Sequence, residues 1–177
     1  MSEQAARLTV TALGGVKRVS PGDDLRALAL DTLARNQETL LDGDILVLAQ
    51  KIVSKSESRY ADLSAVTPSA KAIKLADEVN KDPRLVELIL GESREIVRHR
   101  PGVLIVVHRL GYVMANAGID ASNIEPKFGE DTVLLLPEDP DRSAENLRAK
   151  IFETTGIKIG VVINDSLGRA WRNGTMG

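Results

Sequence analysis

Two short stretches of this chain present carboxylate, amide and hydroxyl groups where a ligand can reach them. In Gly111-Tyr-Val-Met-Ala-Asn-Ala-Gly-Ile-Asp-Ala-Ser-Asn123, a short apolar segment feeds Asn116, passes Gly118 and delivers Asp120 and Asn123 among small side chains. The backbone there is tight and open to close approach. Such a stretch has two readings: a turn in which Asp and Asn bond their own backbone, or half of a metal or phosphate site. Ile159-Gly-Val-Val-Ile-Asn-Asp-Ser166 repeats the arrangement of apolar strand followed by Asp. The recurrence favours the second reading. Two aspartates at the ends of different strands, Asp120 near Asn123 and Asp165 beside Ser166, suit a hard divalent cation, which takes oxygen ligands, keeps waters and is completed by substrate phosphates. Lys51, Lys55, Arg169 and Arg172 are sources of compensating positive charge. Gly168, Gly174 and Gly177 let backbone N–H groups approach phosphate oxygens. The chain has no Gly-x-x-x-x-Gly-Lys-Ser/Thr loop, no Gly-x-Gly-x-x-Gly after a strand and no Ser-His-Asp set. Residue types alone therefore permit a nucleotide-metal site without specifying one.

The elements that must position these groups are legible as patterns. Leu8-Thr-Val-Thr-Ala-Leu13 alternates like a strand, broken by Gly14-Gly15, and Val16-Lys-Arg-Val19 follows as an extended connector. Ser20-Pro-Gly-Asp23 reads as a capped helix start. Leu25, Leu28, Ala29, Thr32 and Leu33 then form one helical stripe ending near Asn36. Ile45-Leu-Val-Leu-Ala49 is a continuous apolar run after a turn, as expected of a strand covered on both faces. It sets Gln50, Lys51, Ser54 and Lys55 at or just beyond a strand end, either as ligand-binding groups or as a solvated basic edge.

Pro68 and Pro83 open two scaffold helices, the first with Ala72, Leu75, Ala76 and Val79 on one face, the second with Leu85, Leu88 and Ile89, stopped by Gly91. Glu95 to His99, Val103 to His108 and Tyr112 to Ala115 suggest an antiparallel meander. His99 and His108 lie in it among arginines without a ligand partner at helical spacing, and both read as surface or interface residues. Thr132 to Leu136 is a buried-type strand. An acidic, proline-punctuated loop over 137–143 ends as a helix cap, the helix runs through Leu147 and Ile151 to Gly156, and Ile157 to Asn164 is the next strand. Irregular alternation of helices and strands predicts an α+β, mixed α/β architecture.

The 177 residues, 43% of them hydrophobic, suffice for a full core. A formal net charge of -2 gives no basic footprint, which argues against nucleic acid. With no cysteine and two histidines, thiol chemistry is excluded and any metal is held by oxygen. The first residues lack an apolar signal core and the apolar runs are strand-sized, so a soluble, cytoplasmic protein is expected. Gly174-Thr-Met-Gly177 follows a Gly- and Arg-rich stretch directly and reads as an end inside a loop.

Three motifs carry a family resemblance. Gly43-Asp44 to Ser54-Lys55-x-Glu57, then Ala115-Asn-Ala-Gly-Ile-Asp-Ala-Ser-Asn123, then Ile163-Asn-Asp-Ser-x-Gly-Arg-x-Trp-Arg-x-Gly174, in that order, resemble the coenzyme F(420):L-glutamate ligase family, the F(420)-0 gamma-glutamyl ligases. The likeness spans nearly the whole chain. It implies a family-specific ligase fold, with a mixed, largely antiparallel sheet flanked by helices. On this view residues 1–177 are the N-terminal and central part of the ligase domain, and a C-terminal remainder carries further nucleotide contacts and a glutamine metal ligand.

The implied activity is GTP- and divalent-metal-dependent joining of L-glutamate to a deazaflavin coenzyme precursor through an acyl phosphate, then extension of a γ-linked tail. Mg2+ or Mn2+ is the implied metal, K+ a further implied ion and a homodimer the implied assembly. Carried over by position, the resemblance makes Asp120 and Asp165 ligands of one ion, Ser166 a ligand of a second and Asn123 a nucleotide contact. Val16, Lys17, Arg18 and Val19 align with a nucleotide-binding segment, and Gln50, Lys51 and Lys55 stand at the nucleotide. Lys55, Asp120 and Asp165 form the implied catalytic set.

Three departures stand out. Gln50-Lys51 replaces a frequent Ser-Thr pair, Ser58 stands where a glycine usually follows the Glu, and the proline-containing form of the first nucleotide segment is absent. Two other functions fit the residues: a metal-dependent phosphohydrolase using the two aspartates, and a non-catalytic nucleotide-binding or oligomerisation module.

Overall fold

The computed structural model describes residues 7–122, 124, 129, 131–166 and 175–177. Five helices, α1 (Leu25–Arg35), α2 (Gln50–Ser56), α3 (Ala70–Val79), α4 (Pro83–Gly91) and α5 (Pro140–Thr155), are interleaved with eight strands among these residues. The strands are β1 (Ile45–Ala49), β2 (Tyr60–Asp62), β3 (Ser93–Arg100), β4 (Val103–His108), β5 (Val113–Ala115), β6 (Thr132–Leu134), β7 (Gly160–Ser166) and β8 (Thr175–Met176). They form three small sheets, in the orders β1-β7-β8, β2-β6 and β3-β4-β5. Among the described residues only β1 and β7 pair in parallel, so the mixed, largely antiparallel α+β expectation holds, with the strands divided among separate sheets.

All of these helices except α2, which Ala49 precedes without a side-chain cap, start where a side chain satisfies free N–H groups. Asp24 accepts from the backbone of Arg26 and Ala27, Ser69 from Ala72, Asp82 from Arg84 and Asp139 from Arg142. Pro83 and Pro140 occupy the first turn, where the missing N–H costs nothing. Asp24, not Ser20, caps α1, while Ser20 donates its N–H to Asp23 in the turn before it. The last helix ends on Gly156 at φ 74°.

Two apolar cores result. The first packs Leu75, Val79, Val86 and Ile89 of the α3–α4 pair against Leu104 and Val106 on the inner face of the meander. The second packs Leu147 and Ile151 of α5, with partly buried residues of α1, against Leu48 of β1 and Ile163 of β7.

Three sequence expectations fail here. Leu8 to Leu13 forms no strand: Leu8 and Val10 are 88% and 85% exposed, and a pairing partner is lacking among the described residues. The backbone is instead caught just beyond, where the Asn36 amide bonds both Gly14 N–H and Gly14 C=O. The β1 strand is covered on one face only. It lies at the sheet edge, with Leu46 and Leu48 turned to the core and Ile45 and Val47 63% and 59% exposed. His108 is not a surface residue but fully buried. Its Nδ1 accepts the Leu110 N–H at 3.0 Å and its Nε2 faces Glu92 Oε2 at 3.3 Å.

Candidate functional site

The parallel pair and the meander meet at the two aspartates. Ala49, the last residue of β1, lies beside Asn164 in the parallel register, so the chain leaves β1 directly into α2 next to Asp165 and Ser166 at the end of β7. The carboxyl ends of parallel strands are where open α/β sheets bind ligands. Asp120 arrives from the other side. After β5 the chain takes a left-handed turn, with φ of 51°, 52° and 69° at Asn116, Ala117 and Gly118. Asn116 and Ala117 carry side chains in a region that costs each of them about 1–2 kcal/mol.

Position 118 favours glycine, both for its φ of 69° and for its close neighbours. A Cβ there would stand 2.7 Å from Met114 Cε and 3.0 Å from Leu136 Cγ and Cδ2. The turn delivers Asp120 to β6, where its N–H donates to Leu134 C=O at 3.0 Å and its C=O accepts the Leu134 N–H at 2.8 Å. Both backbone groups are thus fixed, and only the side chain is free to meet a ligand. The Asn116 side-chain oxygen in the same turn is buried without a donor among the described residues, an unmet demand that clusters with function elsewhere.

Lys51, in the first turn of α2, crosses from the second core to Asp120 beside the first. Its ammonium pairs with Asp120 Oδ2 and donates to Ser122 Oγ at 2.8 Å. Ser122 closes the loop, giving its N–H to Asp120 Oδ1 at 2.6 Å and its hydroxyl to Oδ2 at 3.0 Å. Burial works against ionisation of Asp120, but the hydrogen bonds from Lys51 and Ser122 outweigh it and hold the carboxyl below the usual aspartate range. Asp165 goes the other way. Burial pushes it up and the Asp120 charge adds to the push, against the opposing pull of the Ser166 N–H and Lys51.

The two carboxylates therefore sense one another, and among the described residues Lys51 is the cation that acts on both. Asp120, Asp165 and the Ser166 hydroxyl are hard oxygen donors and fit a divalent cation of the Mg2+ or Mn2+ class. Among the described residues no group of three or more His, Cys, Asp or Glu gathers as a metal cage, so such an ion would be held by the two aspartates with other oxygens.

The remaining expected residues fall at different removes. Gln50 is buried and shares a pocket with Asp165, walled by Tyr112, Met114 and Leu136, but its amide is turned to Ser54 Oγ. Lys55 follows Lys51 by one helical turn and so lies on the same side of α2. Val16, Lys17 and Arg18 are exposed and Val19 is buried, with no hydrogen bond or ion pair from them to either aspartate among the described residues. The turn after them is tied to the end of α2 by Gly22 N–H to Ser56 C=O at 2.8 Å. Asn123, Gly168, Arg169, Arg172 and Gly174 lie outside the described residues. Ser122 was passed over in the sequence, although an Asp-x-Ser spacing is a signal for a side chain bonding the backbone two residues on.

The family model for F(420)-0:gamma-glutamyl ligase matches residues 15–177, a span that contains every group just described. The chain belongs to this ligase family. It is 41% identical over 170 residues to the coenzyme F(420):L-glutamate ligase of Methanothermobacter thermautotrophicus, covering 96% of this chain and 66% of the relative. Similarity to the enzyme of the same name from Methanopyrus kandleri is 45% over 161 residues, 91% of this chain and 60% of the relative. For that of Archaeoglobus fulgidus it is 40% over 171 residues, 97% and 65%. The chain thus spans between 60% and 66% of the length of these relatives. No helix among the described residues is long and apolar enough to cross a membrane.

Proposed function

We propose that this family member forms part of a GTP- and divalent-metal-dependent ligase that joins L-glutamate to a deazaflavin coenzyme precursor, in the cytoplasm and as a homodimer. One observation carries the reading. Asp120 and Asp165, from different sheets, converge at the carboxyl end of the parallel β1–β7 pair, with Lys51 paired to Asp120 and no ion pair to Asp165 among the described residues. Relatives named coenzyme F(420):L-glutamate ligase add the substrate class.

In this reaction a substrate carboxylate oxygen attacks the γ-phosphorus of GTP and GDP leaves. The glutamate amine then attacks the acyl carbon of the resulting acyl phosphate, releasing phosphate and a proton. A bound Mg2+ or Mn2+ supplies neutralisation of phosphate charge. Asp120 and Asp165, with Ser166, would hold it, and K+ is a further ion the family resemblance suggests. Asp120 keeps its carboxylate ionised and its backbone fixed on Leu134. Lys51 and Lys55 present cations on one side of α2 toward the phosphates, while Gln50 lines the pocket beside Asp165. Val16 to Val19 and Asn123 are the proposed further nucleotide contacts.

The test is incubation of the protein with GTP, Mn2+, the deazaflavin precursor and L-glutamate, reading glutamylated product by mass and phosphate by colour. The expected result is product and phosphate in equal amounts, falling at least about 100-fold in Asp120→Ala and in Asp165→Ala. Phosphate without product would instead make the chain a phosphohydrolase. Nucleotide binding that survives in the double variant would sink the two-aspartate site.

A further inference from the structure

Both oxygens of Asp120 are already engaged. Oδ1 takes the Ser122 N–H, while Oδ2 takes both the Ser122 hydroxyl and the Lys51 ammonium. A divalent ion bound at about 2 Å to Oδ2, or to both oxygens, would meet the ammonium on the same oxygen, and one on Oδ1 would still share a carboxylate with it. Two cations cannot share that position at contact distance without strong repulsion. The lysine is able to leave: it is a point charge on a flexible stem, its side chain is 31% exposed, and α2 holds it by its backbone alone.

We propose that Lys51 is a built-in cation that competes with the divalent ion for Asp120 and makes metal loading conditional on an anionic partner. This rests on the proposed metal site at Asp120 and Asp165. In the metal-free protein Lys51 holds Asp120 ionised and in place. A metal that arrives alone must expel the ammonium into solvent, and its apparent affinity is reduced by the stability of the ion pair. A metal that arrives on a polyphosphate brings the expelled ammonium a new anion, because Lys51 remains tethered beside the site. The ion pair thus couples the metal to the nucleotide, and coupling of this kind is reciprocal. It also gives Lys51 a role distinct from that of Lys55, one turn along the same helix.

The decisive measurement is titration of the protein with Mn2+ alone, reading free Mn2+ by electron paramagnetic resonance, in wild type, Lys51→Met and Lys51→Arg. The expected result is Mn2+ binding about tenfold or more tighter in Lys51→Met than in wild type, with Lys51→Arg close to wild type. Adding GTP should tighten Mn2+ binding more in wild type than in Lys51→Met. Circular dichroism melts establish that each variant is folded, and Asp120→Asn should abolish the gain. Equal or weaker Mn2+ binding by folded Lys51→Met would overturn the competition and leave the metal site standing. Failure of wild type and both lysine variants to bind Mn2+ at all, with or without GTP, would overturn the metal site and this inference with it.

Discussion

The chain carries two clusters of opposite charge, and they are built on opposite principles. In the first, Glu92, whose side chain is 16% exposed, is surrounded by donors. His108 Nε2 faces it, Arg109 Nε lies 3.0 Å away and an Arg59 nitrogen 3.4 Å away. The same arginines continue outward, Arg59 to Leu136 C=O at 2.8 Å and Arg109 to Glu138 C=O at 2.9 Å. His108, then Arg109 and Arg59, hold the carboxyl at about 2 against the pull of burial. Because the histidine contact is poorly aligned for a hydrogen bond, the guanidiniums carry more of this effect than the ring. In the second cluster, among the described residues, two aspartates share one lysine, and Asp165 is pushed up. Charge satisfaction separates them: a saturated carboxylate stitches elements together, whereas an under-compensated pair is poised for a ligand.

The widest separation between the clusters should come from removing one carboxylate. Glu92→Gln leaves Arg59 and Arg109 partly buried without their anion, and loss of one partner of such a network costs about 3 kcal/mol. For a chain of this length that is a fall in melting temperature of about 6–12 °C. The expected melt is lowered with Mn2+ binding per folded molecule unchanged. A melt within about 1 °C of wild type would erase the distinction, since Glu92 would then be no more structural than Asp165.

Gly118→Ala tests whether the active cluster depends on strained backbone. The added methyl collides with Met114 and Leu136 and must adopt φ near 69°, for a combined cost of about 2–3 kcal/mol. The damage should be twofold: a lower melting temperature, and weaker Mn2+ binding as Asp120 shifts off Leu134. Loss of stability with unaltered metal affinity would mean that the turn serves packing alone.

The contrast also explains what the sequence could disclose. Helical spacing found the buried stripe Ala72, Leu75, Ala76 and Val79, and Pro83 found the start of α4, because those signals are local, whereas α5 begins at Pro140 under an Asp139 cap, inside the stretch 137–143 expected to be loop. Asp120 and Asp165 were visible as Asp after an apolar strand. Their approach was not, since it depends on β1 lying parallel to β7, far apart in the chain, and on Leu134 receiving Asp120. The Lys51 contact to Asp120 spans the two cores and leaves no trace in spacing. His108 looked exposed because its neighbours are arginines. Alternation within β4 nonetheless turns Leu104, Val106 and His108 to one face, and the Leu110 N–H donated to His108 Nδ1, with the Glu92 charge 3.3 Å from Nε2, accompanies its burial there. The apolar run of β1 misled for a related reason: composition reports hydrophobicity but not whether a strand lies at an edge.

The smallest effect is the sharpest in sign. Glu92 has a folded value near 2 against an ordinary 4.5, so its stabilisation is complete above the ordinary value and is lost as pH falls toward 2. Asp165 is raised above the ordinary aspartate value of 3.8, so its ionised form weakens the metal-free fold at neutral pH. That penalty disappears as pH falls through its folded value toward 3.8. Asp165→Asn removes the charge at every pH. The metal-free variant should equal or exceed wild type at pH 7 by no more than about 1 kcal/mol, solvent screening of a half-buried carboxylate keeping the gain small. Its advantage should shrink as pH is lowered toward 4. Saturating Mn2+ should reverse the order at pH 7, stabilising wild type but not the variant. Denaturant titrations at pH 7 and pH 4 read all three. A variant less stable than metal-free wild type at pH 7 would show that Asp165 already has its partners and belongs with Glu92 rather than with Asp120.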